Sequence, residues 1–287
     1  MAVDLAVITN RELHALAQQF RIDVIKTLHD KGTGHWGGSA SVAEILTYLY
    51  FRQMNIQPEN PDWENRDRLV LSKGHASPML YEVLEKRGYL KDGTLKTFRD
   101  LNSSLQGHPC MNKTPGVEMS TGALGHGLSV GLGMSLMAAR QSSPFKTYVI
   151  VGEGCLNEGQ SWEAIMAAGK FAPKDLVLLV DYNKVQLDGH SKDIMPLDPL
   201  ADKFKAFNWN VADRSFNGHD MDDIESSFKW LSQQDQGPCV IIYDTIKGKG
   251  VSFMEDNHAW HGAPVGDDHF SEALPQLEKG LSTWEEK

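Results

Sequence analysis

The sequence predicts an α/β fold in which helices cover both faces of a mostly parallel sheet. Short runs of apolar residues, typical of buried strands, alternate with segments whose apolar residues recur every three or four positions, as in amphipathic helices. The strand runs are almost continuous in Val, Ile and Leu, which is expected where both faces of a strand are buried. Strands and helices that alternate in this way predict a parallel sheet.

Four apolar runs predict the strands, at residues 68–72, 148–151, 176–180 and 239–243. The chain between the second and third runs is long enough for one crossover helix, which places these two strands side by side. Apolar residues at helical spacing predict helices at 13–28, 42–54, 78–87, 90–101, 125–139, 159–171 and 221–231.

Two further segments lack such clear periodicity. Residues 103–122 are polar and rich in Gly and Pro, and loops of that length inside a compact domain are usually functional or disordered. The chain after Asp267 carries one weak helical pattern, and we interpret it as a docking arm.

Composition narrows the class of protein. A chain of 287 residues, 41% of them hydrophobic, can bury a substantial core, and because no linker is evident we expect a single domain over residues 1–287. The balance of 28 basic against 38 acidic residues gives a net charge of −10, which argues against binding to the backbone of nucleic acids.

The cysteines and the N-terminus predict a cytoplasmic protein. Cys110, Cys155 and Cys239 are odd in number and far apart, so we interpret them as reduced thiols. Residues 1–4 lack the basic start of a secretion signal, and no apolar run approaches the length of a membrane span.

Polar residues follow two of the predicted strands where each strand ends. Gly152, Glu153 and Gly154 close the second run, and Asn183 follows the third. Ligands gather at the carboxyl ends of parallel strands, so we expect the acid and the amide to meet there. Oxygen ligands of this kind suit Mg²⁺ or Ca²⁺ better than zinc.

Histidines next to glycine form a second group of candidates: His35, His75, His108 and His261. Imidazoles with a pKa near neutrality can bind sugar hydroxyls and move protons. Zinc binding is the competing interpretation. It is disfavoured because no two of these histidines have the short helical spacing of zinc hydrolases.

Two glycine-rich segments remain. Residues 121–127 have the glycines that let a backbone approach a ligand closely, although a loop that packs helices together explains them equally well. Lys247 and Lys249 alternate with glycines, and two lysines in an acidic protein make a poor nucleic-acid site. We interpret that segment as a mobile loop near the functional site.

Together these segments resemble the thiamine-diphosphate-binding domain of transketolases over essentially the whole chain. In particular, the chain is similar to the N-terminal subunit of split transketolases. The likeness is carried, in the family's order, by TGHWGGSASVAEIL at 33–46, RDRLVLSKGHAS at 66–77, GHP at 107–109, TGALGHGLSVGLGMS at 121–135, VGEGCLNEGQSWEA at 151–164, DYNKVQLDG at 181–189 and KGKGVSFMEDNHAWHGAPVG at 247–266.

The resemblance implies the thiamine-diphosphate-binding fold and a bound metal ion. Glu153, Asn183 and the backbone carbonyl of Val185 would hold Mg²⁺, for which Ca²⁺ or Mn²⁺ could substitute. Gly152 and Gly154 would lie against the cofactor diphosphate.

It also implies roles for other residues of the site. The backbone of Gly122, Ala123 and Leu124 would hold the aminopyrimidine, and His75 and His261 would contact or approach the diphosphate. His35, His108 and His261 would face the hydroxyls of the donor sugar. Glu158 would lie at a subunit interface and couple to a cofactor-activating glutamate of the partner.

The chain departs from the family pattern at two positions. Glu153 stands where the family usually has Asp, which keeps the charge but adds a methylene, so we expect metal binding with a slight adjustment of the loop. Trp36 stands where the family has Pro, and we expect it to reshape the cofactor or sugar pocket.

The implied reaction is the transfer of a two-carbon ketol unit from a ketose to an aldose. A partner chain would supply the pyrimidine-binding and C-terminal domains and the groups that bind a sugar phosphate, in an assembly with two copies of each chain. Two alternatives remain open. One is a carboligase similar to deoxyxylulose-phosphate synthase, and the other is a binding subunit without catalytic activity.

Overall fold

The computed structural model describes residues 8–285, and its centre is a six-stranded sheet in which every pairing between named strands is parallel. The strand order is β1-β2-β3-β6-β4, and β5 pairs with β6. The strands are β1 (Arg68–Leu71), β2 (Thr147–Gly152), β3 (Leu176–Tyr182), β4 (Asn210–Val211), β5 (Phe216–Asn217) and β6 (Cys239–Asp244). The four predicted strands are therefore confirmed, and β4 and β5 are two-residue strands that periodicity could not detect.

Eleven α-helices are assigned among the described residues. They are α1 (Asn10–Lys31), α2 (Trp36–Ala40), α3 (Ala43–Tyr48), α4 (Ser77–Arg87), α5 (Gly127–Gln141), α6 (Glu153–Leu156), α7 (Gly159–Phe171), α8 (Ser191–Ile194), α9 (Leu200–Ala206), α10 (Met221–Leu231) and α11 (Asp267–Glu285). A π-helical turn, Leu49–Gln53, extends α3, and short 3₁₀ turns lie at Gly74–Ala76, Thr94–Thr97 and His258–Trp260.

The sheet separates two hydrophobic clusters, because alternate residues of each strand point to opposite faces. Leu179 and Ile241 join the cluster formed with α1, α3, α4 and α10. Val180 and Val240 join the cluster formed with α5, α7 and α9. Helices therefore cover both faces, as predicted, and the strands are buried on both sides.

The register of the sheet aligns the ends of three strands. Gly152 at the end of β2 lies opposite Asp181 of β3, and Tyr182 lies opposite Asp244 of β6. The loops that follow these strands consequently leave the sheet along one edge.

Local chemistry explains where α1 begins and ends. Thr9 and Glu12 form a reciprocal capping box at its start, and Gly32 closes it with a left-handed backbone at a φ of 61°. Its inner face carries Leu13, Phe20 and Val24, which are completely buried.

The predicted helix over 90–101 is wrong. This segment forms turns around Thr94–Thr97, and the left-handed φ values of 84° at Gly93 and 61° at Arg99 are incompatible with a continuous α-helix. The Glu85 carboxylate accepts hydrogen bonds from the backbone N–H groups of Gly93 (2.9 Å) and Leu95 (2.6 Å). These bonds stabilise the turn conformation of the segment.

The interpretation of the C-terminal segment as a docking arm is also wrong. It forms α11, which packs along α1 of the same chain. Gln18 donates a hydrogen bond to the Leu277 carbonyl at 2.9 Å, and the His29 and Phe270 rings stack with their centroids 4.0 Å apart. Buried Ala273 and Leu277 contribute to the first cluster.

Two other expectations concern the chain as a whole. No helix among the described residues has the length and apolar character needed to span a membrane, and the three cysteines are free thiols. Residues 1–4, which predicted the absence of a secretion signal, lie outside the described part.

Candidate active site

A cavity of about 250 Å³ lies at the carboxyl ends of the parallel strands. The segments after β1, β2, β3 and β6 form its walls, together with the start of α2 and the loop before α5. Its lining includes eleven of the residues singled out from the sequence, namely His35, His75, His108, Gly122, Leu124, Gly152, Glu153, Gly154, Asn183, Val185 and His261.

Glu153 and Asn183 lie together in this cavity, as their positions at neighbouring strand ends predicted. Glu153 is 3% exposed, and its Oε2 accepts a hydrogen bond from the backbone N–H of Lys184. Its other oxygen, Oε1, is buried without a hydrogen-bond partner among the described residues. Burial raises the pKa of this carboxyl to about 7.

These residues fit a hard metal ion. The unpartnered Glu153 Oε1 lacks the interaction that a buried carboxylate needs, and a cation would supply it. The Asn183 side-chain oxygen and the Val185 carbonyl add two oxygen donors of the type preferred by Mg²⁺. No group of three or more His, Cys, Asp or Glu side chains suited to a metal was found in residues 8–285.

Asp181 is central to the site, although the sequence pattern did not identify it. Its fully buried carboxylate accepts hydrogen bonds from Ser41 at 2.7 Å, from the Asn183 amide at 3.1 Å, and from Lys73 and Thr245. Burial opposes its ionisation, but the adjacent Lys73 ammonium lowers its pKa overall. The bond from Asn183 Nδ2 also fixes the orientation of that amide.

Two lysine side chains, Lys73 and Lys247, line the cavity. Both are about 2% exposed or less, and neither was a candidate from the sequence. Lys73 pairs with Asp181, whereas Lys247 donates to the carbonyls of Val185 and Gln186. The segment at 247–250 therefore lies at the site, as predicted, but Lys247 is buried and hydrogen-bonded rather than part of a mobile loop.

The four histidines come together around the cavity. The His35 ring lies 5.7 Å from His75, 5.9 Å from His108 and 5.5 Å from His261, measured between ring centroids. His75 and His261 are 4.8 Å apart.

All four imidazoles are neutral near pH 7. Burial, reinforced by nearby cations, lowers the pKa of His35 to about 4 and that of His261 to about 3. Burial likewise lowers the pKa of His75 and His108. A neutral imidazole has one N–H donor and one nitrogen acceptor, so each ring can both give and receive a hydrogen bond.

Glycines let the walls approach one another. A Cβ on Gly38 would lie 2.7 Å from His75 Nε2, so any side chain there would displace that ring. Gly122 has a φ of 145°, and a Cβ there would lie 3.2 Å from the His108 ring. The contact at Gly122 shows that the 121–127 segment approaches the His108 ring closely, whereas its close approach to a ligand stays a prediction.

Three residues singled out from the sequence do not line the cavity. Ala123 lies between Gly122 and Leu124, which both line the cavity. Glu158 is exposed at the start of α7, next to Gly125. Trp36 is completely buried in the first hydrophobic cluster, so its bulk fills the core and does not line the pocket. Its indole N–H has no hydrogen-bond partner among residues 8–285.

Comparison with known proteins identifies the family of this chain. A family model described as "Transketolase, thiamine diphosphate binding domain" matches residues 13–280. The 6-deoxy-6-sulfo-D-fructose transketolase subunit SqwG of Clostridium sp. (strain MSTE9) is 41% identical over 93% of this chain and 97% of that relative. An apulose-4-phosphate transketolase subunit of Phocaeicola vulgatus is 37% identical over 93% of this chain and 96% of its own length.

Solved structures show the same fold in longer chains. The transketolase of Campylobacter jejuni matches with a TM-score of 0.84 and 28% identity, over 100% of this chain and 48% of that one. The transketolase of Leishmania mexicana matches with a TM-score of 0.84 and 26% identity, over 98% and 46%. The chain thus spans slightly less than half the length of these solved transketolases. It belongs to the transketolase family and corresponds to that family's thiamine-diphosphate-binding domain.

Proposed function

We propose that this chain is the cofactor-binding half of a two-chain transketolase, which transfers a two-carbon ketol unit from a ketose to an aldose. The observation that carries the proposal is the cavity in which Glu153 and Asn183 lie beside four neutral imidazoles. Oxygen ligands suit a metal-bound diphosphate, and the imidazoles suit a sugar. Bound thiamine diphosphate would supply the electron sink for breaking and forming the carbon–carbon bond.

In this proposal the metal is Mg²⁺, with Ca²⁺ or Mn²⁺ as possible substitutes. Glu153 would contribute its unpartnered oxygen, Asn183 its side-chain oxygen and Val185 its backbone carbonyl. The Val185 carbonyl already accepts a hydrogen bond from Lys247 at 3.2 Å, but a carbonyl oxygen has a second lone pair for a metal. Because Glu153 is longer than the family's usual Asp, it would reach the metal from a slightly displaced backbone.

The rest of the cofactor would lie along the walls of the cavity. Gly152, Gly154, His75 and His261 would line the diphosphate, and the nearby ammonium groups of two buried lysines would offset its negative charge. The backbone of the 122–124 segment, which comprises Gly122, Ala123 and Leu124, would hold the pyrimidine ring. Leu124 already lies close to the loop after β2, since a Cβ on Gly154 would lie 3.2 Å from its Cδ1.

The sugar would meet His35, His108 and His261. Because these rings are neutral, His35 and His108 each have one nitrogen that can accept a hydrogen bond from a hydroxyl and one that can donate. His261 Nδ1 already lies 3.0 Å from Lys247 Nζ, which leaves its other nitrogen for the sugar. Burial lowers the pKa of all three rings, to about 4 for His35 and about 3 for His261, which favours the neutral form. They would therefore orient the ketose through hydrogen bonds, and a ring that accepts a proton from a hydroxyl would be positively charged until it passes that proton on.

A partner chain completes the proposed enzyme. Relatives of similar length are named as subunits, whereas solved transketolases are about twice as long. We propose that the partner is a C-terminal transketolase subunit, in an α2β2 assembly, with exposed Glu158 at the interface. The proposed location is the cytoplasm, which suits three free thiols.

The names of two relatives guide the choice of substrate. The name of one relative includes 6-deoxy-6-sulfo-D-fructose, and the name of the other includes apulose-4-phosphate. We therefore propose that the donor is a ketose that carries an anionic group, phosphate or sulfonate, away from its ketol end.

The test reconstitutes this chain with a C-terminal transketolase subunit and supplies ketose phosphates, ketose sulfonates and pyruvate as donors. Mass spectrometry should detect ketol transfer to an acceptor aldose only when both chains, thiamine diphosphate and Mg²⁺ are present. Ketol transfer by this chain alone would contradict the two-chain proposal. Release of carbon dioxide from pyruvate would instead favour the carboligase.

Histidine variants separate an enzyme from a protein that only binds. His108→Ala should lower kcat/KM of the reconstituted pair by about 10²- to 10⁴-fold, the usual contribution of a proton-transfer group. The control is His258→Ala, an exposed histidine outside the cavity, which should leave turnover unchanged. Unchanged turnover in both variants would mean that this chain contributes no catalytic group at that position and would favour the non-catalytic alternative.

A further inference from the structure

Lys247 is a buried cation that forms no ion pair with a described carboxylate. The other lysines near it do: Lys73 pairs with Asp181, and Lys249 lies 3.3 Å from Glu255. Lys247 Nζ instead has three neutral partners, the carbonyls of Val185 (3.2 Å) and Gln186 (2.7 Å) and the Nδ1 atom of His261 (3.0 Å). Burial of a charge without a counter-ion is costly, so this arrangement calls for an explanation.

The backbone on either side of Lys247 is held in place. The Ile246 N–H donates to His219 Nε2 at 2.8 Å, and the Gly248 N–H donates to the Gly37 carbonyl at 3.0 Å. The side chain passes directly over Gly37, where a Cβ would lie 3.0 Å from Lys247 Cγ. The position of the ammonium group relative to His261 is therefore set by the surrounding structure.

The three contacts of this ammonium group determine where the His261 proton lies. Carbonyl oxygens only accept, and an ammonium group only donates, so all three N–H groups of Lys247 are directed at acceptors. His261 Nδ1 must then be the unprotonated nitrogen of the neutral ring. The hydrogen of that ring is left on Nε2, its remaining polar atom.

We propose that Lys247 is a positioning residue that holds His261 in the Nε2–H tautomer, so that His261 presents a hydrogen-bond donor to the ligand in the cavity. The ligand atom that meets His261 must then be an acceptor, such as a phosphate oxygen or the oxygen of a ketose carbonyl or hydroxyl. The same ammonium group ties down residues 185–186, where the proposed metal-ligand carbonyl lies. The identity of the ligand rests on the proposed function, but the tautomer does not.

The experiment uses the full-length chain labelled with ¹⁵N at histidine, without cofactor, metal or partner. Long-range ¹H–¹⁵N correlation spectra at pH 7 distinguish the protonated from the unprotonated ring nitrogen, and a His261→Asn variant assigns the His261 signals. The wild type should show unprotonated Nδ1 and protonated Nε2. Lys247→Met, which removes all three donors at similar side-chain length, should shift the His261 Nδ1 signal towards the protonated position.

Lys249→Met is the matched control, because it removes the same charge two residues along the loop from a partly exposed lysine. It should leave the His261 signals unchanged, and Lys247→Arg, which keeps several donors, should preserve the Nε2–H tautomer. A wild-type ring protonated at Nδ1 would overturn the proposal, as would a folded Lys247→Met variant with unchanged His261 signals. If Lys247→Met fails to fold, the His261 signals of the wild type and of Lys247→Arg still test the proposal, because both proteins should show an unprotonated Nδ1. None of these spectra depends on ketol transfer, so this proposal can fail while the proposed function stands.

Discussion

At the scale of single residues, Asp181 joins four segments that reach the cavity from different parts of the chain. Its partners Ser41, Lys73, Asn183 and Thr245 follow α2, β1, β3 and β6, respectively. One carboxylate thereby neutralises a lysine, orients the amide proposed as a metal ligand and fixes the loop that leads to Lys247.

Removing the charge of Asp181 should destabilise the fold strongly. Asp181→Asn leaves the Lys73 ammonium buried without a counter-charge, and breaking a buried pair in this way costs about 3–5 kcal/mol. Chemical denaturation should show this loss in the free energy of unfolding. Lys184→Met is the control, since its pair with Asp244 is 60% exposed on the lysine side and should contribute at most about 1 kcal/mol. Equal losses in the two variants would contradict the central role of Asp181.

Glu153 should control metal-dependent cofactor binding. In the reconstituted pair, Mg²⁺ should raise the affinity for thiamine diphosphate, and Glu153→Gln should remove most of that gain because it loses the negative charge. Glu153→Asp, which restores the family's usual residue, should retain it. Isothermal titration with and without Mg²⁺ measures the difference, and a Gln variant with an undiminished Mg²⁺ effect would exclude Glu153 as a ligand.

The candidate residues illustrate what a sequence pattern can and cannot reveal. Glu153 and Asn183 were predictable because strand ends of a parallel sheet meet at one edge. Asp181 and Lys73 were not identified, because their pairing joins residues 108 apart and leaves no periodic signal. Lys247 was misjudged for a related reason, since only the three-dimensional packing shows that a Gly-Lys repeat is buried.

At the scale of elements, the contact between α1 and α4 contains a carboxyl group that is unusually hard to ionise. Glu82 on α4 is 1% exposed, lies near Asp23 of α1, and has Lys86 Nζ 3.5 Å from its Oε1. Burial raises its pKa to about 8, and repulsion by Asp23 acts in the same direction, while Lys86 opposes it.

This carboxyl group should make stability depend on pH. Glu82 ionises near pH 4.3 in the unfolded chain but near 8 in the folded one, so the folded state holds the proton more tightly. The protonated Glu82 therefore contributes fully to the free energy of unfolding below about pH 4. This stabilisation falls by roughly 1.4 kcal/mol for each pH unit as the pH rises towards about 8.

Glu82→Gln removes this titration. The free energy of unfolding of the variant minus that of the wild type should increase between pH 5 and pH 8, because only the wild type loses stability over this range. Glu278→Gln, a change on the exposed face of α11, is the control and should show no such trend. A constant difference between Glu82→Gln and wild type over this range would mean that Glu82 ionises normally in the folded protein.

Helix prediction succeeded where an amphipathic stripe coincided with clear ends. The bounds predicted for the helices at 159–171 and 221–231 agree with α7 and α10. The segment at 90–101 has apolar residues at suitable spacing, but Gly93 and the buried Glu85 carboxylate favour turns there. The pattern of α11 was weak because Ala273 and Leu277 are its only fully buried residues, and its stability comes from packing on α1.

At the scale of the whole molecule, one sheet lies between two hydrophobic clusters and shares its strands with both. Loss of either cluster would expose one face of every central strand. The single domain over residues 1–287 remains a prediction, which the described range of 8–285 supports by this continuity.

Unfolding should therefore be one cooperative transition. Trp36 is buried in the first cluster and Trp209 in the second. Because the chain has seven tryptophans, the fluorescence of Trp36→Phe or Trp209→Phe is subtracted from that of the wild type, which gives the change of one tryptophan on each side. Both signals and the far-ultraviolet circular dichroism should share one midpoint in denaturant. Separate midpoints for the two sides would indicate two independently folding units.

The sequence by itself determined the α/β class, the positions of the four main strands along the chain and many of the residues that line the cavity from strand ends and glycine-flanked loops. It could do so because burial imposes periodicity and parallel strands end together. Only the tertiary structure decided the buried charges Lys73, Asp181 and Lys247, the packing of α11 on α1 and the protonation of the imidazoles. Those properties depend on which distant residues meet away from water, and contacts between distant residues leave no local pattern in the chain.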